Sequence, residues 1–167
     1  MNRLSILGIF GITMVVLGVL PERAVSKQKS LKESIVGTWS VTAIYDQYEG
    51  NQKRNPWGDG MKGTFTFDNN GQFTQIFIGE KQASMKSEDP RRADALVLAF
   101  IGTYTVSEED KVISVRNERA TNSIRDTAQQ KWKVTAISGD TMSLVGVTPR
   151  KDLEGTFVPH VEVKRAK

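Results

Sequence analysis

A single histidine, three tyrosines and no cysteine limit the chemistry this chain can perform. Without Cys there is no disulfide, no thiolate metal site, no cysteine nucleophile and no lipid-modified N-terminal Cys. One His argues against a His-rich metal site and against a Ser-His-Asp triad. His160 alternates with Pro159 and Val161, which turns it outward on a strand. No Gly-x-Ser-x-Gly elbow, phosphate-cradling glycine loop or metal-ligand spacing occurs, so neither a metal nor a cofactor is expected. Glu108-Glu109-Asp110 reads as a solvated hairpin tip. Asp68-Asn69-Asn70-Gly71 lacks the alternating ligands and distal Glu of a calcium loop and reads as a tight turn. Arg116, Arg119 and Arg125, interspersed with Asn117, Glu118, Asn122 and Asp126, could clamp an anionic head group, though a solvated loop is the simpler reading.

What remains is a set of large side chains at alternate positions. Tyr45, Phe65, Phe67, Phe73, Phe77 and Tyr104 fall on one face of their segments. So do Trp132, Met142, Leu144 and Phe157, with Gln75 and Gln130 as polar members. Two readings of this set stay open. It lines a cavity for an apolar or aromatic molecule, with Tyr45, Tyr104, Gln75 or Gln130 fixing its orientation. Or it simply fills the interior.

The elements that must hold these residues are strands. Period-two alternation marks eight of them, at residues 39–45, 63–67, 72–78, 101–106, 111–117, 128–136, 141–147 and 156–164. Asp68-Asn69-Asn70-Gly71 joins the second and third as a hairpin. Pro149 ends the seventh, and Pro159 demands a bulge or an unpaired position in the eighth. Ser30-Leu31-Lys32-Glu33 is a capping box that predicts one helical turn before the first strand. Asp89-Pro90 opens a second helix running to Phe100, with Ala93, Leu96, Val97 and Phe100 on one stripe. Four tripeptides share one form: Gly37-Thr38-Trp39, Gly63-Thr64-Phe65, Gly102-Thr103-Tyr104 and Gly155-Thr156-Phe157. They suggest strands that enter one crowded end with the aromatic inward. Eight short antiparallel strands leave two exposed edges, and closure into an up-and-down barrel removes both. A barrel of that size holds side chains or one small ligand.

Residues 1–26 read as an export signal: Met1-Asn2-Arg3, an uncharged run from Leu4 to Pro21, then Ala24 and Ser26 as small residues at a cleavage site. The run is also long enough for an uncleaved anchor. Either way the folded part, residues 27–167, is expected as one domain outside the cytoplasm, periplasmic or extracellular. The net charge is only +4 and the basic residues are scattered, which argues against a nucleic-acid partner. No oligomeric state follows.

The runs Ile35-Val36-Gly37-Thr38-Trp39, Asn55-Pro56-Trp57-Gly58 and Lys62-Gly63-Thr64-Phe65-Thr66-Phe67 with Asn70-Gly71 resemble the bacterial lipocalin-like domain family. So do Phe100-Ile101-Gly102-Thr103-Tyr104-Thr105-Val106 and Ser138-Gly139-Asp140-Thr141-Met142-Ser143-Leu144. The resemblance implies an eight-stranded barrel whose closed end is plugged by Trp39. It also implies a basic residue of the last strand across that indole, here Arg165, with Lys164 next. The family pattern often carries His in the fifth strand, where this chain has Ser114 and Val115, so no site built on that His is expected. The loop 47–60 then lies at the open end, with Trp57 either a lid or an anchor.

Three functions fit this reading. The first is an exported, non-catalytic barrel that binds a small apolar or aromatic molecule. The second is a barrel-type isomerase or cyclase with Tyr45 or Tyr104 as acid and a buried carboxylate as base; no Asp or Glu falls on an expected inward strand position. The third is an interaction module with a filled core.

Overall fold

The computed structural model describes residues 29–82, 95–122 and 127–167. The expected export signal, the start of the second expected helix at Asp89-Pro90, and Arg125 with Asp126 lie outside the described residues.

The first element is α1 (Leu31–Ile35). Ser30 Oγ accepts from Glu33 N at 3.1 Å, and the Glu33 carboxylate accepts from Ser30 N at 2.9 Å. That is the capping box, two orphan donors satisfied reciprocally. Glu108, from a distant turn, accepts from Leu31 N at 2.7 Å and Lys32 N at 2.9 Å. The helix is thereby tied to the barrel, and it buries Leu31 and Ile35.

Apart from one 3-10 turn at Glu49–Asn51, the regular elements that follow among the described residues are strands: β1 (Gly37–Tyr48), β2 (Lys53–Arg54), β3 (Lys62–Phe67), β4 (Gln72–Lys81) and β5 (Ala95–Ser107), then β6 (Val112–Ala120), β7 (Gln129–Ser138), β8 (Thr141–Gly146), β9 (Arg150–Lys151) and β10 (Thr156–Arg165). The eight long strands pair with their neighbours antiparallel, and β1 pairs with both β3 and β10. The sheet therefore meets itself and leaves no long edge. The two-residue strands β2 and β9 extend the wall beside β1 and β10.

Up-and-down order sends the chain ends and loops to two different ends. The turns at 68–71, 108–111 and 139–140 gather with α1 at one end, and the loops at 49–61 and 147–155 at the other. Asp68 builds its turn as foreseen, its Oδ1 accepting from Asn70 N at 2.8 Å and Gln72 N at 2.7 Å.

The α1 end is sealed. Trp39 is fully buried and its Nε1 donates to Ile35 O at 2.7 Å. Arg165 lies over the Trp39 ring at 4.2 Å. Its Nη1 and Nη2 donate to Val36 O at 2.8 Å and Ser34 O at 2.9 Å. These are the carbonyls a helix end leaves unpaired, and a guanidinium fork suits them. Gly37 makes room for this: its φ is +125°, and a Cβ there would stand 2.7 Å from Arg165 Nη1. Above the plug, Phe65, Phe67, Phe73, Tyr104, Met142 and Leu144 fill the barrel in edge and tilted ring contacts.

Two expectations are corrected here. The helix from Asp89-Pro90 to Phe100 does not form over its second half, because Ala95–Phe100 begin β5. The apolar stripe of Leu96, Val97 and Phe100 also suits a strand with partners on both sides: Val97 opposes Ile78, Ala99 opposes Ile76, and Phe100 opposes both Gln75 and Ala120. Ladder pairing with β4, joined by β6 at Phe100, outweighs a weak local helix preference. Among the described residues the α-helix is α1. The Gly-Thr-aromatic tripeptides, in turn, do not gather at one end. Since β3 and β10 run opposite to β1, Gly63 and Gly155 lie away from Gly37, and Gly102 sits inside β5. There a bulge brings β6 so close that a Cβ on Gly102 would meet Arg116 O at 2.1 Å.

Candidate functional site

The key to the interior is a one-residue irregularity in β1. Val41 opposes Val163 of β10, but Ala43, not Thr42, opposes Glu162. Thr42 is therefore an extra residue, a β-bulge, and it inverts the inward-outward phase of the strand beyond it. Trp39 faces in before the bulge; Ile44 and Asp46 face in after it. Tyr45, expected to line the cavity, is carried to the outer face. There it stacks on His160 with centroids 4.8 Å apart, and the Lys53 ammonium lies 4.3 Å from its ring. His160 points outward, as its alternation implied. Burial and the Lys53 charge push the His160 imidazole below its ordinary value, and Glu162 opposes them.

At the open end the aromatic filling stops and leaves a pocket of about 180 Å³. Its floor is the ring layer in which Phe65 meets Trp132 edge-on at 6.3 Å and Phe77 edge-on at 5.3 Å. Its walls are Ile44, Phe77, Leu98, Phe157 and Pro159. Trp57 reaches in from the 49–61 loop and packs edge-on against Phe77 at 5.6 Å. The loop is held firmly: Glu80 N donates to Trp57 O at 2.7 Å, and Asn55 Oδ1 accepts from Trp57 N at 3.0 Å. Trp57 thus serves at once as wall and as loop anchor.

Among the described residues, five polar groups reach this pocket: Asp46, Gln75, Gln130, Arg150 and the Trp132 indole. Gln130 and Arg150 are linked, with Arg150 Nη2 donating to Gln130 Oε1 at 3.4 Å and Gln130 Nε2 donating to Asn117 Oδ1 at 3.5 Å. Burial pushes the Asp46 carboxyl above its usual range; the Arg150 guanidinium works against that, and Asp152 adds to it. Gln75 and Trp132 differ from the rest. They are only 2% and 5% exposed, yet Gln75 Oε1 and Trp132 Nε1 have no hydrogen-bond partner among the described residues. Buried polar atoms are satisfied in the great majority of cases, and an orphan costs about 1–3 kcal/mol.

The expected lining thus divides. Gln75, Phe77, Gln130, Trp132 and Phe157 border the pocket, with Trp57 above them. Phe67, Phe73 and Met142 belong to the packed core beneath. Tyr104 is not at the pocket either: its hydroxyl donates to Asp68 O at 2.6 Å, at the plugged end. Burial and the Asp68 charge raise its pKa. Neither Tyr45 nor Tyr104 therefore stands beside the inward carboxylate, and that acid–base pair is not assembled. Asp46, Arg150, Ile44 and Leu98 escaped sequence reasoning. The bulge hid the first and third, the helix assignment hid Leu98, and nothing in the spacing around Pro149 marks Arg150.

A second polar cluster braces the rim. Tyr48 Oη donates to Asp152 Oδ2 at 2.5 Å, which pushes the phenol up to about 12, and Arg54 is ion-paired with Glu154. Among the described residues no group of three or more His, Asp or Glu side chains is placed to hold a metal ion.

Comparison with known proteins adds a family. The model of the lipocalin-like domain matches residues 35–144. None of the curated proteins matches the chain. Similar solved structures include a redesigned β-barrel, 14% identical with a TM-score of 0.44, which covers 85% of this chain and 100% of its own. Another is bovine odorant-binding protein in complex with a selenium-containing odorant, 13% identical with a TM-score of 0.44, covering 84% of this chain and 74% of its own.

Proposed function

The chain belongs to the lipocalin-like domain family, and from that premise we propose that it is an exported, non-catalytic protein that holds a small molecule in the pocket under Trp57. The observation that carries this reading is the abrupt end of the aromatic filling at Phe65 and Trp132, which leaves a walled space of about 180 Å³. A cavity of about 150 Å³ accepts benzene, whereas drug-sized ligands need about 300 Å³ or more. The occupant is therefore one ring or a fused pair. The apolar run from Leu4 to Pro21 and the small residues Ala24 and Ser26 support export.

The experiment is calorimetric titration of the full chain with naphthalene, alongside a Leu98→Trp variant that fills the pocket. Wild type should bind and the variant should not; equal binding by both would place the ligand elsewhere. Export is tested by fractionating producing cells and weighing the protein, which should begin at Lys27 outside the cytoplasm.

A second reading rests on the outer face of β4 and β5. Ile76, Ile78, Val97 and Ile101 are 39%, 45%, 40% and 53% exposed there, on neighbouring strands. Apolar groups in a contiguous set favour an interaction surface. An elution volume shifted by Ile101→Asp would support it.

A further inference from the structure

The pocket contains two buried groups that its own walls leave unsatisfied, and they define what should fill it. This inference rests on the reading of the pocket as a binding site. Gln75 projects inward from β4 between Phe73 and Phe77, two core rings that are themselves buried. Trp132 projects inward from β7 and forms part of the floor, its ring held edge-on by Phe65. Gln75 Oε1 needs a donor, and Trp132 Nε1–H needs an acceptor. The other polar groups do not fill these needs, because Gln130 is bonded to Asn117 and Arg150. The walls around the two groups are aromatic and aliphatic, so the occupant must be flat and apolar over most of its surface.

We propose that the pocket is built for a compact, uncharged ring compound that carries both an acceptor and a donor, a cyclic amide or its chemical equivalent. The ring lies among Phe77, Leu98 and Trp57. Its carbonyl oxygen accepts from Trp132 Nε1, and its ring N–H donates to Gln75 Oε1. Asp46 and Arg150 both border the same space, so their opposite charges offset each other and neither favours a charged ligand. A long-chain acid is excluded by volume, since the pocket is smaller than those that take drug-sized ligands. Water is the competing partner for the two orphans, and it would satisfy them without any preference among ring ligands.

The test uses the full chain and three fused bicycles of similar size, compared by calorimetry at neutral pH. Naphthalene offers neither group, quinoline an acceptor, and 2-quinolinone both. The expected result is 2-quinolinone binding at least tenfold tighter than naphthalene, with quinoline between them. Gln75→Leu and Trp132→Phe should each remove most of that preference, read within each variant as the ratio of its naphthalene and 2-quinolinone dissociation constants. Should a variant fail to fold, the wild-type indole N–H resonances give the same answer: the Trp132 signal should move downfield with 2-quinolinone and not with naphthalene. Naphthalene binding as tightly as 2-quinolinone, or a Trp132 signal that responds equally to both, overturns the inference and leaves the pocket reading intact. If no bicycle binds, and phenol does not bind either, both readings fall.

Discussion

Replacing Arg165 with alanine should cost this fold more than any comparable change near a chain end. The guanidinium donates to Val36 O and Ser34 O and covers Trp39. Hydrogen bonds from a charged donor contribute about 1.5–3 kcal/mol each when buried, and the Arg165 side chain is 33% exposed, so the lower end applies. A cation over an indole adds about 0.5–2 kcal/mol. Asp140, at 3.9 Å from Nε and largely exposed, adds little. Allowing for water that replaces part of the lost bonding, the loss is about 2–4 kcal/mol, or roughly 10 °C in Tm for a domain of this size class. Arg165→Lys keeps the charge but not the fork, and should lose about half as much. Thermal melts followed by circular dichroism and guanidinium titrations measure both variants. A double-mutant cycle with Trp39→Phe should show a coupling of about 0.5–2 kcal/mol. An alanine variant that melts within 2 °C of wild type, or a zero coupling, would refute the view that Arg165 closes the barrel.

Other consequences follow from named contacts. Gly102→Ala should destabilise by about 2–3 kcal/mol, because the added methyl would meet Arg116 O at 2.1 Å and backbone cannot swing aside; denaturant titration measures it. Glu108 is held below the usual glutamate value chiefly by the backbone bonds it accepts from Lys32 and Leu31. Its contribution is therefore present above the ordinary glutamate pKa and lost as pH falls through the lowered folded one. Glu108→Gln should raise amide exchange at Leu31 and Lys32 selectively. Tyr48, raised to about 12 first by its bond to Asp152, stays protonated in the fold after an unfolded chain would have ionised. Stability should therefore fall as pH climbs from about 10 to about 12. Tyr48→Phe should delete the phenol that ionises near 12 in an ultraviolet titration.

The barrel was legible because most of its strands carry strict alternation. Phe65 and Phe67, Phe73 and Phe77, or Met142 and Leu144 declare their inward face without help. The plug was legible too, since the resemblance placed Trp39 and Arg165 at opposite chain ends of one closed sheet. The site was only half legible. Gln75, Phe77, Gln130, Trp132 and Phe157 follow from period two, but Asp46 depends on where one extra residue is absorbed. Thr42 carries no mark that distinguishes it from an ordinary outward threonine, and its insertion exchanges Tyr45 for Ile44 and Asp46 on the inner face. A bulge is settled by pairing with β10, which is distant in sequence. Residues 95–100 failed for the opposite reason. Local apolar spacing fitted a helix, and pairing with β4 along the stretch, joined by β6 at Phe100, made them a strand.

The three tryptophans offer the most direct test of where this protein binds. Trp39 seals the plugged end with its N–H on Ile35 O, Trp57 caps the open pocket, and Trp132 floors it with an N–H that has no partner among the described residues. In an ¹⁵N-resolved spectrum each gives one indole resonance. Titration with 2-quinolinone should shift the signals of Trp132 and Trp57 with one common dissociation constant and leave Trp39 in place. A spectrum in which Trp39 moves while Trp132 and Trp57 stay still would contradict the account.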